Sequence, residues 1–273
     1  MNGPGGGDRF PTTHFSAVRG AASDQPEERR RSLEAIVAAY WRPVYKLIRL
    51  RWRRAPEDAE DLTQAFFTRA LEKDFFAGFD PVKGRFRTFL RTCVDRFVAN
   101  EDKAATRLKR GGAATTETCD FAAAEAEIAA AGAAARERPP EELFDAEWLR
   151  SLFALAVESL RAACAAAGKE RHFDLFRRYD LEDAGEGTLT YDDLAREFGT
   201  TPSLVTNHLA WTRREFRRIL LETLRQVTGS DEEFRLEARL LLGTAPGPRA
   251  PEGPRPATPA DGDGEDSSQG HAG

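Results

Sequence analysis

The chain has 273 residues, 41% hydrophobic and 31% charged, with a formal net charge of −5, a composition that suits a folded, water-soluble protein. No apolar run approaches the roughly 20 residues of a membrane helix, and MNGPGGGDRFPTT lacks the apolar core of a secretory signal, so a cytoplasmic protein without a membrane segment is expected. Cys93, Cys119 and Cys164 form no CxxC pair, and the four histidines lie far apart. The sequence therefore gives no disulfide framework, no metal site and no cofactor.

Residues 1–12 are Gly/Pro-rich and expected to be disordered. From Glu27 to Leu50, Leu33, Ile36, Val37, Tyr40, Val44, Leu47 and Ile48 keep a helical period. Pro43 interrupts it and predicts a kink or a junction of two helices. Trp41, Tyr45 and Trp52 read as packing residues. Arg49, Arg51, Arg53 and Arg54 form a basic cluster before Pro56, which reads as a loop with solvated charges.

The stretch 56–100 encodes two amphipathic helices. Pro56 is pre-set for a first helical position. Glu57, Asp58, Glu60 and Asp61 suit the positive end of the helix dipole. Ala59, Leu62, Phe66, Ala70 and Leu71 make one buried face, leaving Asp58, Asp61, Gln64 and Thr68 for solvent or a partner. Gly78, Asp80-Pro81 and Gly84 break the chain. The second helix carries Phe86, Phe89, Leu90, Cys93 and Phe97 inward, with Arg85, Arg87, Arg91 and Arg96 around them. It is expected to run on through Glu101–Arg110. Lys83 to Arg110 holds nine Lys/Arg against three Asp/Glu, and such a local patch matters more for phosphate binding than the total charge.

Ala113–Glu142 contains twelve Ala and seven acids in thirty residues, ending near Pro139-Pro140. With few large apolar residues to anchor it, it reads as a flexible linker. Next comes a helix over Leu143–Ala167 with Leu143, Phe144, Leu149, Leu152, Phe153, Leu155, Ala156 and Leu160 inward. A second carries Phe173, Leu175, Phe176 and Tyr179, and Glu182–Thr188 reads as a loop. Ala195, then Gly199, then Val205 is the spacing of a helix-turn-helix. Thr201 can cap its second helix, with Pro202 in the first turn. That helix exposes Ser203, Leu204, Thr206, Asn207, Ala210, Arg213 and Arg214, and Arg213 to Arg225 holds five Arg against two Glu. In a major groove, Thr206 and Asn207 would suit base edges, and the arginines phosphates. Asp231–Leu242 reads as a last helix, and Thr244–Gly273 as a disordered acidic tail.

PEDAEDLTQAFF followed by DPVKGRFRTFL resembles region 2 of a bacterial RNA polymerase sigma factor. The resemblance is to the extracytoplasmic-function (ECF) group, in a subset associated with planctomycetes and similar bacteria. PTTHFSAV and YWRPVYKLIR resemble the start of that subset, and the helix-turn-helix resembles sigma region 4. The resemblance covers roughly residues 11–242. It implies an all-α protein of two helical domains, a region 2-like bundle over 13–112 and a region 4-like domain over 143–243, joined by the flexible linker 113–142. It implies a core-polymerase-binding face of Asp58, Asp61, Gln64 and Thr68. It further implies contact with the melted −10 strand by Arg87, Phe89, Arg91, Arg96, Lys103, Arg107, Lys109 and Arg110, because single strands need aromatic platforms and cations. Ser203, Thr206, Asn207, Ala210, Arg213, Arg214 and Arg217 would meet the −35 duplex. Arg96 stands where many relatives carry Asn, and His208 and Trp211 replace basic residues common there, so the recognised sequence does not transfer.

The resemblance implies core RNA polymerase and promoter DNA as partners, an anti-sigma factor or other regulator as a further one, and no enzymatic activity of the chain itself. Three other readings stay open on the residues alone. A helix-turn-helix regulator would bind duplex DNA without polymerase. A nucleic-acid enzyme would have to use Asp58 and Asp61, which the helix dipole already explains. A structural helical adaptor would have no salt-dependent DNA affinity.

Overall fold

The computed structural model describes residues 16–70, 75–76, 78–105, 119–182 and 189–244, and every regular element among them is helical. The all-α expectation holds. The spine is α2, Pro26–Arg51, which follows the four-residue α1, Ala17–Gly20. Pro26 opens α2, Glu27 and Glu28 occupy its first turn, and Arg49 and Arg51 its last, all in accord with the helix dipole. It runs as one helix through Pro43 rather than as two. Ile36, Tyr40, Val44, Tyr45, Leu47 and Ile48 are at most 1% exposed. Each such side chain contributes about 1.5–3 kcal/mol on burial, so α2 is the centre about which the rest condenses.

Against α2 pack α3 (Pro56–Ala70) and α4 (Phe86–Ala105). Ala59, Phe66 and Ala70 are buried on α3 as expected, together with Thr63 and Phe67. Phe86 and Phe97 are core residues. Phe89 is half-buried, with its ring 5.4 Å from that of Phe79.

Most of the described part of the chain expected to be a flexible linker is helical. Asp120 caps α5, Phe121–Glu137, by accepting from the Ala123 amide, and the helix is broken only at Gly132 (φ 58°). Three side chains seat α5 on α2: Phe121 against Trp41 and Tyr45, with Ala124 and Ile128 buried. Alanine has the highest helix propensity, and these few contacts suffice to position the helix.

From Pro140 to Ala166, α6 lies on α2 and farther along on α9. Its buried face is Leu143, Phe144, Trp148, Leu152, Ala156 and Leu160, with Glu147 and Ser151 among them. Leu149 and Phe153, expected inward, are each 37% exposed. The helix is apolar around most of its circumference, so its period does not select a face. The polar Glu147 takes an inward place because Lys46 is there to receive it, at 2.7 Å.

Next come α7 (Glu170–Phe176), the wider π-helical turns Arg177–Glu182, α8 (Tyr191–Glu197), α9 (Pro202–Gln226) and α10 (Asp231–Thr244). Phe173, Leu175, Phe176 and Tyr179 are buried as expected.

Among the described residues, separate cores for two domains are not seen; one hydrophobic cluster runs through both halves. The Tyr40 hydroxyl donates to Val227 O at 3.2 Å, and Ser16 Oγ to Thr228 O at 2.8 Å. Glu233 of α10 accepts from the amides of Phe86 and Gly229, both at 2.8 Å. Gly229 must be glycine here, because a Cβ would run into the Phe79 ring. Arg87 of α4 is buried between Glu237 of α10 at 2.7 Å and Asp145 of α6 at 3.1 Å, its guanidinium 4.7 Å from the Trp148 ring.

Arg87→Ala leaves the buried Glu237 with Arg85 alone, at 3.2 Å, and removing one member of a buried pair costs about 3–5 kcal/mol. Arg96, exposed on the same helix, has no such duty, and Arg96→Ala should change stability by less than about 0.5 kcal/mol. Urea unfolding of the two variants separates these roles; equal effects would mean that the Arg87 cluster does not hold the halves together.

Candidate nucleic-acid interface

Three surfaces gather the sequence-predicted residues. On α3, Asp58, Asp61 and Thr68 are exposed and Gln64 is half-exposed. Gln64 donates to Glu60 at 3.3 Å, and Thr68 Oγ1 donates to the Gln64 carbonyl at 2.8 Å. The outward face is acidic and polar because Ala59, Thr63, Phe66 and Phe67 take the inward one. Its chemistry fits a basic protein partner better than nucleic acid.

On α4 the predicted strand-binding residues divide. Arg96 and Lys103 are exposed. Arg87 is buried in the fold, and Arg91 is half-buried and lies 3.3 Å from Glu141. Arg85 lies 3.2 Å from Glu237. Arg87 and Arg91, which read as strand contacts, are thus satisfied by carboxylates of α6 and α10. Phe89 is not a free platform, being packed against Phe79 and Phe86. Arg107, Lys109 and Arg110 lie outside the described residues.

The third surface is built by α8 and α9. Thr190 and Asp193 make a reciprocal capping box at the start of α8, a Thr-x-x-Asp pattern legible in the sequence. Ala195 is buried, and Gly199 turns the chain at φ 59°, a conformation that costs other residues about 1–2 kcal/mol. Thr201 accepts from the Leu204 amide and Pro202 opens α9. Val205, Leu209 and Thr212 face inward. The predicted helix-turn-helix is therefore present. Its outward face carries Ser203, Asn207, Arg214 and Arg217, all exposed, with Thr206 and Ala210 half-buried beside them.

Arg213 does not belong to that face. It donates to Asp180 at 2.8 Å and lies 3.3 Å from the Tyr191 hydroxyl. Burial disfavours its charge, but the bonds to Asp180 and Tyr191 more than offset this and hold its pKa above the ordinary value. It ties α9 to the π-helical turns before α8.

The side of α9 towards α7 is aromatic. The rings of His172 and His208 stack at 3.9 Å, Trp211 meets His172 edge-on at 5.3 Å, and the Lys169 ammonium sits 3.8 Å from the Trp211 centroid. Burial, then His208 and Lys169, pull His172 below the usual imidazole range; burial and Arg171 do the same for His208. Nothing in the sequence announces this pair, because 36 residues separate its members. Trp211 and His208 are packing residues here.

Among the described residues, no three His, Cys, Asp or Glu side chains gather as a metal site, and no helix is long and apolar enough to cross a membrane. No family model, curated protein or solved structure matches the chain.

The histidine pair sets a pH dependence. Both imidazoles bind protons less readily folded than unfolded, where the pKa is about 6.5. Their contribution to stability is complete above that value and is lost as pH falls through the depressed folded values. Urea midpoints should decline from about pH 7.5 to about pH 5.5, and His172→Phe should flatten the decline. An unchanged slope in the variant would assign the acid sensitivity to other groups.

Proposed function

We propose that this chain is a sigma factor of the ECF type. It would bind core RNA polymerase through the outward face of α3, with Asp58, Asp61, Gln64 and Thr68. Its α9 would enter the major groove of the −35 element, and α4 with the segment after it would hold the −10 strand. Catalysis then belongs to the polymerase, and the protein works in the cytoplasm beside the chromosome, open to control by an anti-sigma factor or another regulator. The observation that carries this reading is the helix-turn-helix with its exposed stripe Ser203, Asn207, Arg214 and Arg217. Such a stripe pairs two polar readers of base edges with two cations for the backbone. The acidic exposed face of α3, in the same chain, supports a protein partner besides DNA.

A specific observation favours a second reading, a helix-turn-helix regulator that binds duplex DNA without polymerase. Arg87 and Arg91 are engaged inside the fold, so the −10 contact would have to rest on Arg96, Lys103 and the residues beyond, or on a rearranged chain. The α9 stripe needs no such change.

Asp61→Ala with Gln64→Ala should weaken binding to purified core polymerase while leaving the helical circular dichroism intact; unchanged affinity would remove α3 as the docking face. Arg214→Ala should weaken duplex binding across sequences and lower the salt slope by about one. Asn207→Ala should relax preference at one base position by about 1–3 kcal/mol. A uniform loss in both variants would remove Asn207 as a base reader.

A further inference from the structure

The basic side of α2 lies beneath an acidic cover. Arg42, Lys46 and Arg49 stand along one side of the helix, separated by about 6 Å and about 4.5 Å of axial rise. Glu127 of α5 reaches both Arg42 and Lys46 at 2.6 Å. Glu125 grips Arg49 through both oxygens, at 2.5 and 2.8 Å, and accepts from the Tyr45 hydroxyl at 2.8 Å. One carboxylate bridging two cations and another held bidentately by a guanidinium are the contacts that the phosphates of a strand would make.

The cover is lightly held. Apart from these ion pairs, α5 is anchored by Phe121, Ala124 and Ile128, and much of the rest of its described surface is exposed alanine. The Arg42–Glu127 pair is partly solvated, at 27% and 45% side-chain exposure, and weakens with salt, whereas Lys46 and Arg49 lie deeper, at 4% and 17%. Lys46 keeps a second partner, Glu147 of α6 at 2.7 Å, and would not be left buried and unpaired if α5 moved.

We propose that Arg42, Lys46 and Arg49 form a binding stripe for the phosphodiester backbone of single-stranded nucleic acid, and that α5 is a displaceable acidic strap occupying it. The stripe lies on α2, apart from α3, α4 and α9, and does not depend on the function proposed above.

The test uses the full chain and a fluorescein-labelled oligothymidylate of about 20 nucleotides at low salt. Glu125→Gln with Glu127→Gln removes the competing charges and should tighten binding about tenfold, the equivalent of two or three weak ion pairs. Adding Arg42→Gln and Arg49→Gln should abolish that gain. In the unsubstituted protein, binding should speed amide hydrogen exchange in α5 and leave α9 unchanged. A gain that survives loss of the arginines, exchange in α5 that ignores the oligonucleotide, or no binding by any variant would each overturn the proposal. Inorganic polyphosphate serves as competitor. Displacement only at phosphate concentrations far above those of the oligonucleotide supports a strand site, whereas equal potency per phosphate overturns the strand as the ligand. Should the glutamine variant fail to fold by circular dichroism, the exchange measurement on the unsubstituted chain decides the question.

Discussion

A buried guanidinium is costly unless it is answered by partners, and Arg87 is answered from two other helices. Glu237 comes from α10, Asp145 and the Trp148 ring from α6, and the arginine itself from α4. Outside this arrangement the charge would face a desolvation cost of several kcal/mol. The cluster therefore acts less as a source of stability than as a condition of register. α10 can sit only where Glu237 meets Arg87, and once there its Glu233 accepts the amides of Phe86 and Gly229. Burial raises the pKa of that carboxyl, with the two amide bonds pulling the other way.

The same logic recurs on the spine itself. Lys46 is answered by Glu147 and Glu127, and Arg49 by Glu125. Both clusters set carboxylates from later in the chain against cations from earlier in it. A protein whose cations were meant only for structure would not need to expose Asn207, Arg214 and Arg217 in a capped helix-turn-helix. The division of labour is between cations consumed by the fold and cations left to solvent, and the functional reading rests on the second group.

Much of this was legible in the sequence where the signal is local. Pro56 and the acids after it mark the start of α3, Thr201-Pro202 marks α9, and Ala195, Gly199 and Val205 fix the turn between α8 and α9. What was not legible depends on partners far away in the chain. Arg87 and Arg91 read as solvent-facing until Glu237 and Glu141 are brought beside them. Arg213 reads as a phosphate contact until Asp180 takes it. α5 has too few large apolar residues to show a period, so its place on α2 is set by contacts some 80 residues apart in sequence. In α6, Leu149 and Phe153 were indistinguishable from core residues because apolar side chains surround most of the helix.

The function proposed here makes one demand that no other reading makes: the chain must direct polymerase to defined starting points. Purified protein added to core polymerase of its source organism, with genomic fragments as template and transcript 5′ ends sequenced, measures this directly. The account predicts new, discrete starts that share two spaced upstream sequence elements and that vanish when the chain is omitted. Absence of both starts and polymerase binding, alongside salt-sensitive binding to duplex DNA, would contradict it and leave a polymerase-independent regulator.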